Sequence, residues 1–252
     1  MHGDQGHTFA IGDIHGRVDL LKALLGHIAD RANKGGFRYR VVFLGDIIDK
    51  GPTSFEAMEL VIETTTTVQG SRLILGNHDA IPLTILDEAE PTKARARLAF
   101  WIERQNGMAT LQSYRLSPET LTLKKFAEEF NHTHVSFLRA AVHHVELDNH
   151  ILVHAGLRPG IPLAEQDPYD LMWIKEPFLS YPSSFGKTII HGHTPTKSRL
   201  PEVLPNRIGI DTGACTSGRL TAVHLIGAEI AGYLATSNEG PIAVSAIEPM
   251  RL

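Results

Sequence analysis

The most constraining feature of this sequence is a short apolar segment that ends in a glycine-flanked polar turn, a unit that occurs five times in order. Apolar runs such as residues 8–11 and 39–44 have the length and composition of buried β-strands. In open α/β sheets, ligands bind at the carboxyl ends of the strands, because the loops there converge on one crevice. The sequence therefore predicts an α/β fold whose site lies along that edge. The turns read GDIHG (12–16), GDIIDKG (45–51), GNHD (76–79), HAG (154–156) and GHT (192–194).

Helical spacing follows the first of these turns, with apolar residues at Leu20, Leu21, Leu24, Leu25 and Ile28. The same strand, turn and helix return over residues 39–64, and a third strand at 72–75 runs into the turn at 76–79. Three consecutive βα units predict a largely parallel sheet covered by helices.

The middle and the second half of the chain follow different patterns. Residues 87 to about 141 have helical spacing, with a helix start predicted at 117–119, and we interpret this region as a helical insert over the sheet. From residue 142 onward short strands predominate, and we predict that they form a second, more antiparallel set. No repeat or linker divides the sequence, so we expect one domain over residues 1–252. These strands are predicted at 142–147, 151–153, 188–191, 207–210 and 220–225.

The turns carry carboxylate, imidazole and amide groups, which are metal ligands. On an extended segment, side chains two residues apart project to the same side, so Asp13 and His15 are expected to bind one ion together. Oxygen and nitrogen ligands without thiolates suit Mn, Fe or Zn in a catalytic site. A single Gly-Asp or Asn-His turn is commonly no more than turn chemistry. Five such turns in order make a metal centre the better interpretation.

The ordered blocks GDIHG, GDIIDKG, GNHD, HAG and GHT resemble those of the calcineurin-like metallophosphoesterases, and in particular the phosphoprotein phosphatase branch with its bacterial and phage relatives. The resemblance extends over residues 12–194, and residues 210–214 are similar to the segment after the last ligand in bacterial members. It implies an α/β fold in which a β-sandwich is flanked by helices (αββα). It also implies a phosphoester hydrolase with two divalent metal ions, Mn being expected and Fe or Zn being alternatives.

The resemblance assigns a role to each motif residue. The first metal would have three ligands and the second four, with one aspartate shared, and hydroxide held by the two ions would attack phosphorus directly, without a covalent enzyme intermediate. The first set is Asp13, His15 and Asp46, and the second is Asp46, Asn77, His154 and His193.

The same resemblance makes His78 the acid that protonates the leaving oxygen and Asp49 the carboxylate that orients it. Phosphate binding would fall to Lys50 and Lys175, together with Asn77. Both lysines replace arginines that are usual in the family, and a lysine offers a mobile point charge where arginine offers a planar fork.

A further departure concerns the last block. Some metallophosphodiesterases place a second histidine after Gly-His-x, whereas Pro195 occupies that place here. This substitution disfavours the nuclease-like branch. It leaves His191, just before the glycine, as an expected bystander.

These observations predict a metal-dependent phosphomonoesterase that acts on phosphoserine or phosphothreonine, with phosphotyrosine as a further candidate. The first alternative is a symmetrical diadenosine tetraphosphate hydrolase, which shares the same ordered blocks. The second is a catalytically weak regulatory module that binds metal and phosphate, an alternative motivated by the two lysines. The expected partner is a phosphoprotein or a small phosphoester, and the sequence does not indicate an oligomeric state.

Composition excludes other classes of protein. With 24 Lys and Arg against 28 Asp and Glu, the formal charge is −4, and no basic stripe is present, so neither nucleic acid nor an anionic membrane is an expected partner. The longest weakly polar stretch, residues 220–235, is interrupted by His224 and Glu229 and is too short to span a bilayer. The single cysteine, Cys215, excludes an internal disulfide. With no signal-like start, we expect a cytoplasmic protein.

Overall fold

Two six-stranded sheets, stacked face to face, form the centre of the molecule. The computed structural model describes residues 6–237 and 240–252, so the first residues of the chain, where we expect no signal-like segment, lie outside the described residues. The strand order is β11-β10-β9-β1-β2-β3 in the first sheet and β12-β7-β8-β6-β5-β4 in the second. The strands are β1 (His7–Ile11), β2 (Tyr39–Phe43), β3 (Arg72–Leu73), β4 (His144–Glu146), β5 (His150–Val153), β6 (Thr188–His191), β7 (Glu202–Val203), β8 (Arg207–Gly209), β9 (Thr221–Ile226), β10 (Glu229–Ser237), β11 (Ala243–Ile247) and β12 (Met250–Arg251).

The predicted parallel sheet is present, since β1, β2 and β3 pair in parallel. The prediction of a more antiparallel second set is confirmed in part, because the second sheet is mixed: β4 with β5 and β7 with β8 pair antiparallel, whereas β5, β6 and β8 pair in parallel. The antiparallel strands β9, β10 and β11 extend the first sheet instead. Connection length explains both outcomes: the long segment between β5 and β6 permits a parallel crossover, whereas two residues between β9 and β10 permit only a hairpin.

Side chains on the central strands alternate between two apolar layers. In β1, Phe9 and Ile11 face the helices while Ala10 faces the other sheet. In β5, Leu152 packs between the sheets and Ile151 packs outward. This period of two buries both faces of the strands, which accounts for their nearly continuous apolar sequences.

Helices flank the two sheets, and the region predicted as a helical insert is helical. The predicted helix start at 117–119 is wrong in detail, because residues 118–120 form a single 3-10 turn. The next helix begins at Leu123, where the Thr122 hydroxyl accepts the Lys125 N–H. The helices are α1 (Val18–Gly35), α2 (Ser54–Thr67), α3 (Asn77–Leu86), α4 (Pro91–Arg104), α5 (Gly107–Ser113), α6 (Leu123–Glu129), α7 (His132–Arg139), α8 (Pro168–Trp173) and α9 (Ala214–Ser217).

The carboxyl ends of β1, β2, β3, β5 and β6 meet along one edge of the double sheet. Contacts between the sheets close this edge: the His193 N–H donates to the Asp13 carboxylate, and the His154 imidazole donates to the Leu44 carbonyl. All five polar turns therefore converge as expected. Among the described residues, no helix is long and apolar enough to cross a membrane.

Candidate active site

Backbone strain is concentrated in the converging turns. Among the described residues, eight non-glycine residues have positive φ, and five of them lie in these turns. Such conformations persist where the surrounding structure fixes them, and they are common at functional sites. The five are His15, Asp46, Asp49, Lys50 and His193.

Asp13 and His15 do meet, but by a route other than the one predicted. His15 has a φ of 45°, so residues 13–15 do not form an extended segment. Instead the turn wraps around the next one, because the N–H groups of Ile14 and His15 both donate to the Asp46 carbonyl, at 3.1 and 2.8 Å. The His15 Nε2 atom then lies 4.0 Å from Asp13 Oδ2.

A first ligand cluster forms around His15. Its Nδ1 donates to the Ile48 carbonyl at 2.8 Å, which leaves the lone pair on Nε2. That Nε2 lies 3.4 Å from Asp46 Oδ2, so two electron-pair donors face each other. His15, Asp46 and His78 offer ligand atoms that lie within 4.8 Å of one another.

A second cluster forms on the other side of Asp46. His154 Nδ1 donates to the Leu44 carbonyl at 2.8 Å, and its Nε2 lies 3.4 Å from Asp46 Oδ1. The Asn77 Oδ1 atom lies 2.9 Å from that Nε2 and 2.8 Å from His193 Nδ1. The two oxygens of Asp46 therefore face different clusters, which is the geometry required of a ligand that bridges two ions.

Burial sets the protonation of these groups. It lowers the pKa of His15 and of His193 to about 3, so both imidazoles are neutral near pH 7. Burial, with the neighbouring Asp211 and Asp46 adding to it, raises the pKa of Asp13 well above its usual range. Burial also opposes ionisation of Asp46, but the histidines around it outweigh burial and lower its pKa. Buried carboxylates beside neutral imidazole lone pairs are the donor set of a divalent cation site.

The two predicted phosphate-binding lysines occupy different positions. Lys50 lies in the first cluster, with its Nζ 2.6 Å from His15 Nε2. Its charge opposes the rise in the pKa of both Asp13 and Asp211. Lys175 is exposed at the rim, close enough that its charge, after burial and His154, helps to lower the pKa of His193.

The predicted acid and its orienting carboxylate form a buried pair. His78 Nδ1 lies 2.7 Å from Asp49 Oδ2, and Asp49 is fully buried. Burial alone would lower the pKa of His78, but Asp46 and the Asp49 contact outweigh it and raise the net value. The imidazole is thus stabilised in the protonated form that an acid requires.

Sequence reasoning missed the groups that hold Asp49. The Trp101 indole N–H donates to Asp49 Oδ2 at 2.9 Å, and the Thr110 hydroxyl donates to Oδ1 at 2.6 Å. Both residues belong to the helical insert, more than fifty positions along the chain, so no local pattern could have linked them to the site. The sequence-based assignment also gave no role to Asp211. This buried carboxylate lies in residues 210–214, the segment that is similar to bacterial members of the family.

Of the remaining predicted positions, His191 lies outside both clusters, and its Nδ1 contacts the Gly192 carbonyl at 3.1 Å. The other candidate ligands and the acid pair lie together at the carboxyl edge of the double sheet. A helix-flanked double sheet with its site in this position is the architecture of metal-dependent phosphoesterases.

The chain belongs to the calcineurin-like phosphoesterase family, whose sequence profile matches residues 7–215. Members of this family are hydrolases that use divalent metal ions, consistent with the two clusters.

Three known proteins are similar to this chain along most of its length. An asymmetrical bis(5'-nucleosyl)-tetraphosphatase, PrpE of Bacillus thuringiensis, is 25% identical over 247 residues, which cover 85% of this chain and 88% of the relative. A symmetrical bis(5'-nucleosyl)-tetraphosphatase of Neisseria gonorrhoeae is 27% identical over 272 residues, covering 88% and 93%. A crystal structure provisionally described as a diadenosine tetraphosphatase has a TM-score of 0.62 and 20% identity, covering 98% of this chain and 96% of that one.

Proposed function

We propose that this protein hydrolyses bis(5'-nucleosyl) tetraphosphates such as diadenosine tetraphosphate. The observation that carries the proposal is the similarity to tetraphosphatases along almost the whole chain, 85% of it in one relative and 88% in another. This replaces phosphoserine and phosphothreonine as the leading substrates. The proposal leaves the cleavage position open, because one relative is named asymmetrical and the other symmetrical.

Two divalent ions would be held, one by Asp13, His15 and Asp46 at the first cluster, whose His78 we assign as the acid, and one by Asp46, Asn77, His154 and His193 at the second. When bound, such ions lower the pKa of water and neutralise charge on a phosphoryl group. The protein itself fixes the positions of the side chains that would bind these ions. Asp46 presents one oxygen to each side, and the carbonyls of Ile48 and Leu44 fix the two imidazoles through their Nδ1 atoms.

His78 would supply a proton to the departing phosphate oxygen from its Nε2 atom, because its Nδ1 is engaged by Asp49. A positioned acid of this kind contributes about 10² to 10⁴ in rate. Lys50 and Lys175 would each present a positive charge to a polyphosphate, and Asn77 would add an uncharged amide beside it. The intact His78–Asp49 pair favours turnover over the alternative of a catalytically weak regulatory module.

The test is hydrolysis of diadenosine tetraphosphate by the purified protein with added Mn²⁺, with nucleotide products resolved by chromatography. We expect either ADP alone or AMP with ATP, and no products after chelation. His78→Ala should lower kcat, by less than the full range for acid catalysis because a departing nucleotide leaves as a weakly basic phosphate, while His132→Ala, which alters an exposed histidine outside the site, should match the parent protein.

A phosphoserine peptide serves as the comparison substrate. Release of phosphate from the peptide, with the dinucleotide left intact, would overturn the proposal in favour of a protein phosphatase. Hydrolysis of neither substrate with Mn²⁺, Fe²⁺ or Zn²⁺ would favour the regulatory module.

A further inference from the structure

An aromatic pair leads outward from the second ligand cluster. The Trp173 and His193 rings form a T-shaped contact, with centroids 6.3 Å apart and planes at 76°. The Tyr169 ring stacks on Trp173, with centroids 6.0 Å apart and planes at 17°. Neither residue has a role in the metal clusters or the acid pair. Together they form a short column of rings that starts at a candidate metal ligand and ends in solvent.

The outer ring of this column is unusually exposed for its size. Tyr169 is 64% exposed, among the highest values for a large hydrophobic residue in the described chain. One side of its ring packs on Trp173, so much of the rest is open to solvent. Exposed flat aromatic surface beside a binding site favours a flat ligand, since aromatic rings stack with an offset at such separations.

The column is held rigidly. Both rings lie on α8, whose Asp170 forms a two-bond ion pair with Arg158, at 2.6 and 2.8 Å. The Leu171 carbonyl accepts the Ala155 N–H at 2.8 Å, which ties α8 to the residue after His154. An aromatic surface fixed in this way loses little conformational freedom when a ligand stacks on it.

We propose that Tyr169 and Trp173 form a stacking subsite for a nucleobase of the substrate, an inference that rests on the proposed function. The column covers two ring-to-ring steps from His193, a span that suits the ribose and the one or two phosphates between a base and the bond that is cut. The exposed Lys175, close to His193, adds a positive charge for the polyphosphate on the same side. A phosphoserine or phosphothreonine side chain offers no such flat group.

The first test measures binding. Isothermal titration calorimetry gives the affinity for AMP and for ribose 5-phosphate, which lacks the base, in the presence of Mn²⁺. We expect AMP to bind about tenfold more tightly than ribose 5-phosphate, because stacking on an aromatic residue typically has this effect. Tyr169→Ala should remove most of the preference, and Tyr169→Phe should keep it.

The second test uses kinetics. Tyr169→Ala should raise KM for diadenosine tetraphosphate about tenfold with kcat nearly unchanged. Phe100→Ala is the matched control, because Phe100 on α4 is 55% exposed and lies outside the column, and its KM should equal that of the parent protein.

The outcomes separate the two proposals. If the dinucleotide is hydrolysed but Tyr169→Ala changes neither KM nor the preference for AMP, the stacking subsite is wrong and the proposed function stands. If the dinucleotide is not hydrolysed yet AMP is preferred through Tyr169, the proposed function is wrong and a nucleobase subsite stands. If the parent protein binds AMP and ribose 5-phosphate equally, the stacking subsite is wrong. This conclusion also holds if Tyr169→Ala then weakens the binding of a phosphopeptide alone.

Discussion

At the scale of single residues, the most informative contacts are those that saturate the Asp49 carboxylate. His78, Trp101 and Thr110 all bond to its two oxygens, and the Asp49 N–H also donates to the Thr110 hydroxyl at 2.9 Å. A buried carboxylate held by so many donors has one position. Trp101 and Thr110 therefore fix the orientation of the His78 ring through Asp49, without contacting the substrate themselves.

We predict that Trp101→Phe, which removes one donor to Asp49, lowers kcat about tenfold for an alkyl phosphate with a poor leaving group, as expected for partial loss of acid catalysis. Hydrolysis of 4-nitrophenyl phosphate should change much less, because 4-nitrophenolate departs without protonation. The measurement is kcat for both substrates.

The control is Phe126→Leu, which alters packing 5.8 Å from the Trp101 ring centre without removing a bond to Asp49. It should leave the ratio of the two rates unchanged. An equal loss on both substrates in Trp101→Phe would show that the indole does not act through acid catalysis.

At the scale of elements, glycine has opposite roles in different places. The turns of the site need it for close approach: a Cβ at Gly192 would lie 2.1 Å from Asp13 Oδ1, and one at Gly76 would lie 2.2 Å from the Asp46 nitrogen. Two other glycines have open space around them, Gly26 inside α1 and Gly36 directly after its last residue. Gly26 and Gly36 differ in backbone conformation, since Gly26 is helical and Gly36 has a positive φ.

We predict that Gly26→Ala stabilises the protein by about 0.5–1 kcal/mol, because Gly26 lies inside α1 and alanine loses less backbone entropy on folding. Gly36→Ala should destabilise it by about 1 kcal/mol, since Gly36 ends the helix with a φ of 65° that a Cβ disfavours. Urea denaturation of both variants gives the two values. A shift of the same sign in both would contradict the conformational argument.

At the scale of the whole molecule, the site is built from both sheets. Asp13, Asp46 and Asn77 follow strands of the first sheet, whereas His154 and His193 follow strands of the second. An ion bound between them would connect the two halves of the sandwich. Metal binding is therefore expected to affect global stability as well as activity.

We predict that Mn²⁺ at about a hundred times its Kd raises the free energy of unfolding by about 2.7 kcal/mol through mass action. Asp46→Asn should lose most of this gain, because both clusters share that carboxylate. Asp148→Asn, an exposed change of the same kind, should retain it. The measurement is thermal or urea unfolding with Mn²⁺ and with chelator; equal stability in the two conditions would show that the clusters do not bind the ion.

Much of the fold and the site could be predicted because the signals are local. Strands β1 and β2 were evident from short apolar runs, and the ligand turns from polar residues next to glycine. The sheet to which β9, β10 and β11 belong was not, since pairing depends on distant strands. The start of α6 was misplaced because Ser117 donates to the Glu119 side chain at 2.6 Å, while Thr122 caps the helix.

The identity and order of the candidate ligands, and their placement at the carboxyl ends of strands, follow from local sequence alone. These depend on periodicity and turn chemistry within a few residues, which the chain specifies directly. Three features depend on packing of the folded chain: Trp101 and Thr110 hold Asp49, Asp46 faces two clusters, and Tyr169 and Trp173 extend from His193. Such contacts join residues far apart in the chain, and they exist only once the two sheets and the helical insert have packed together.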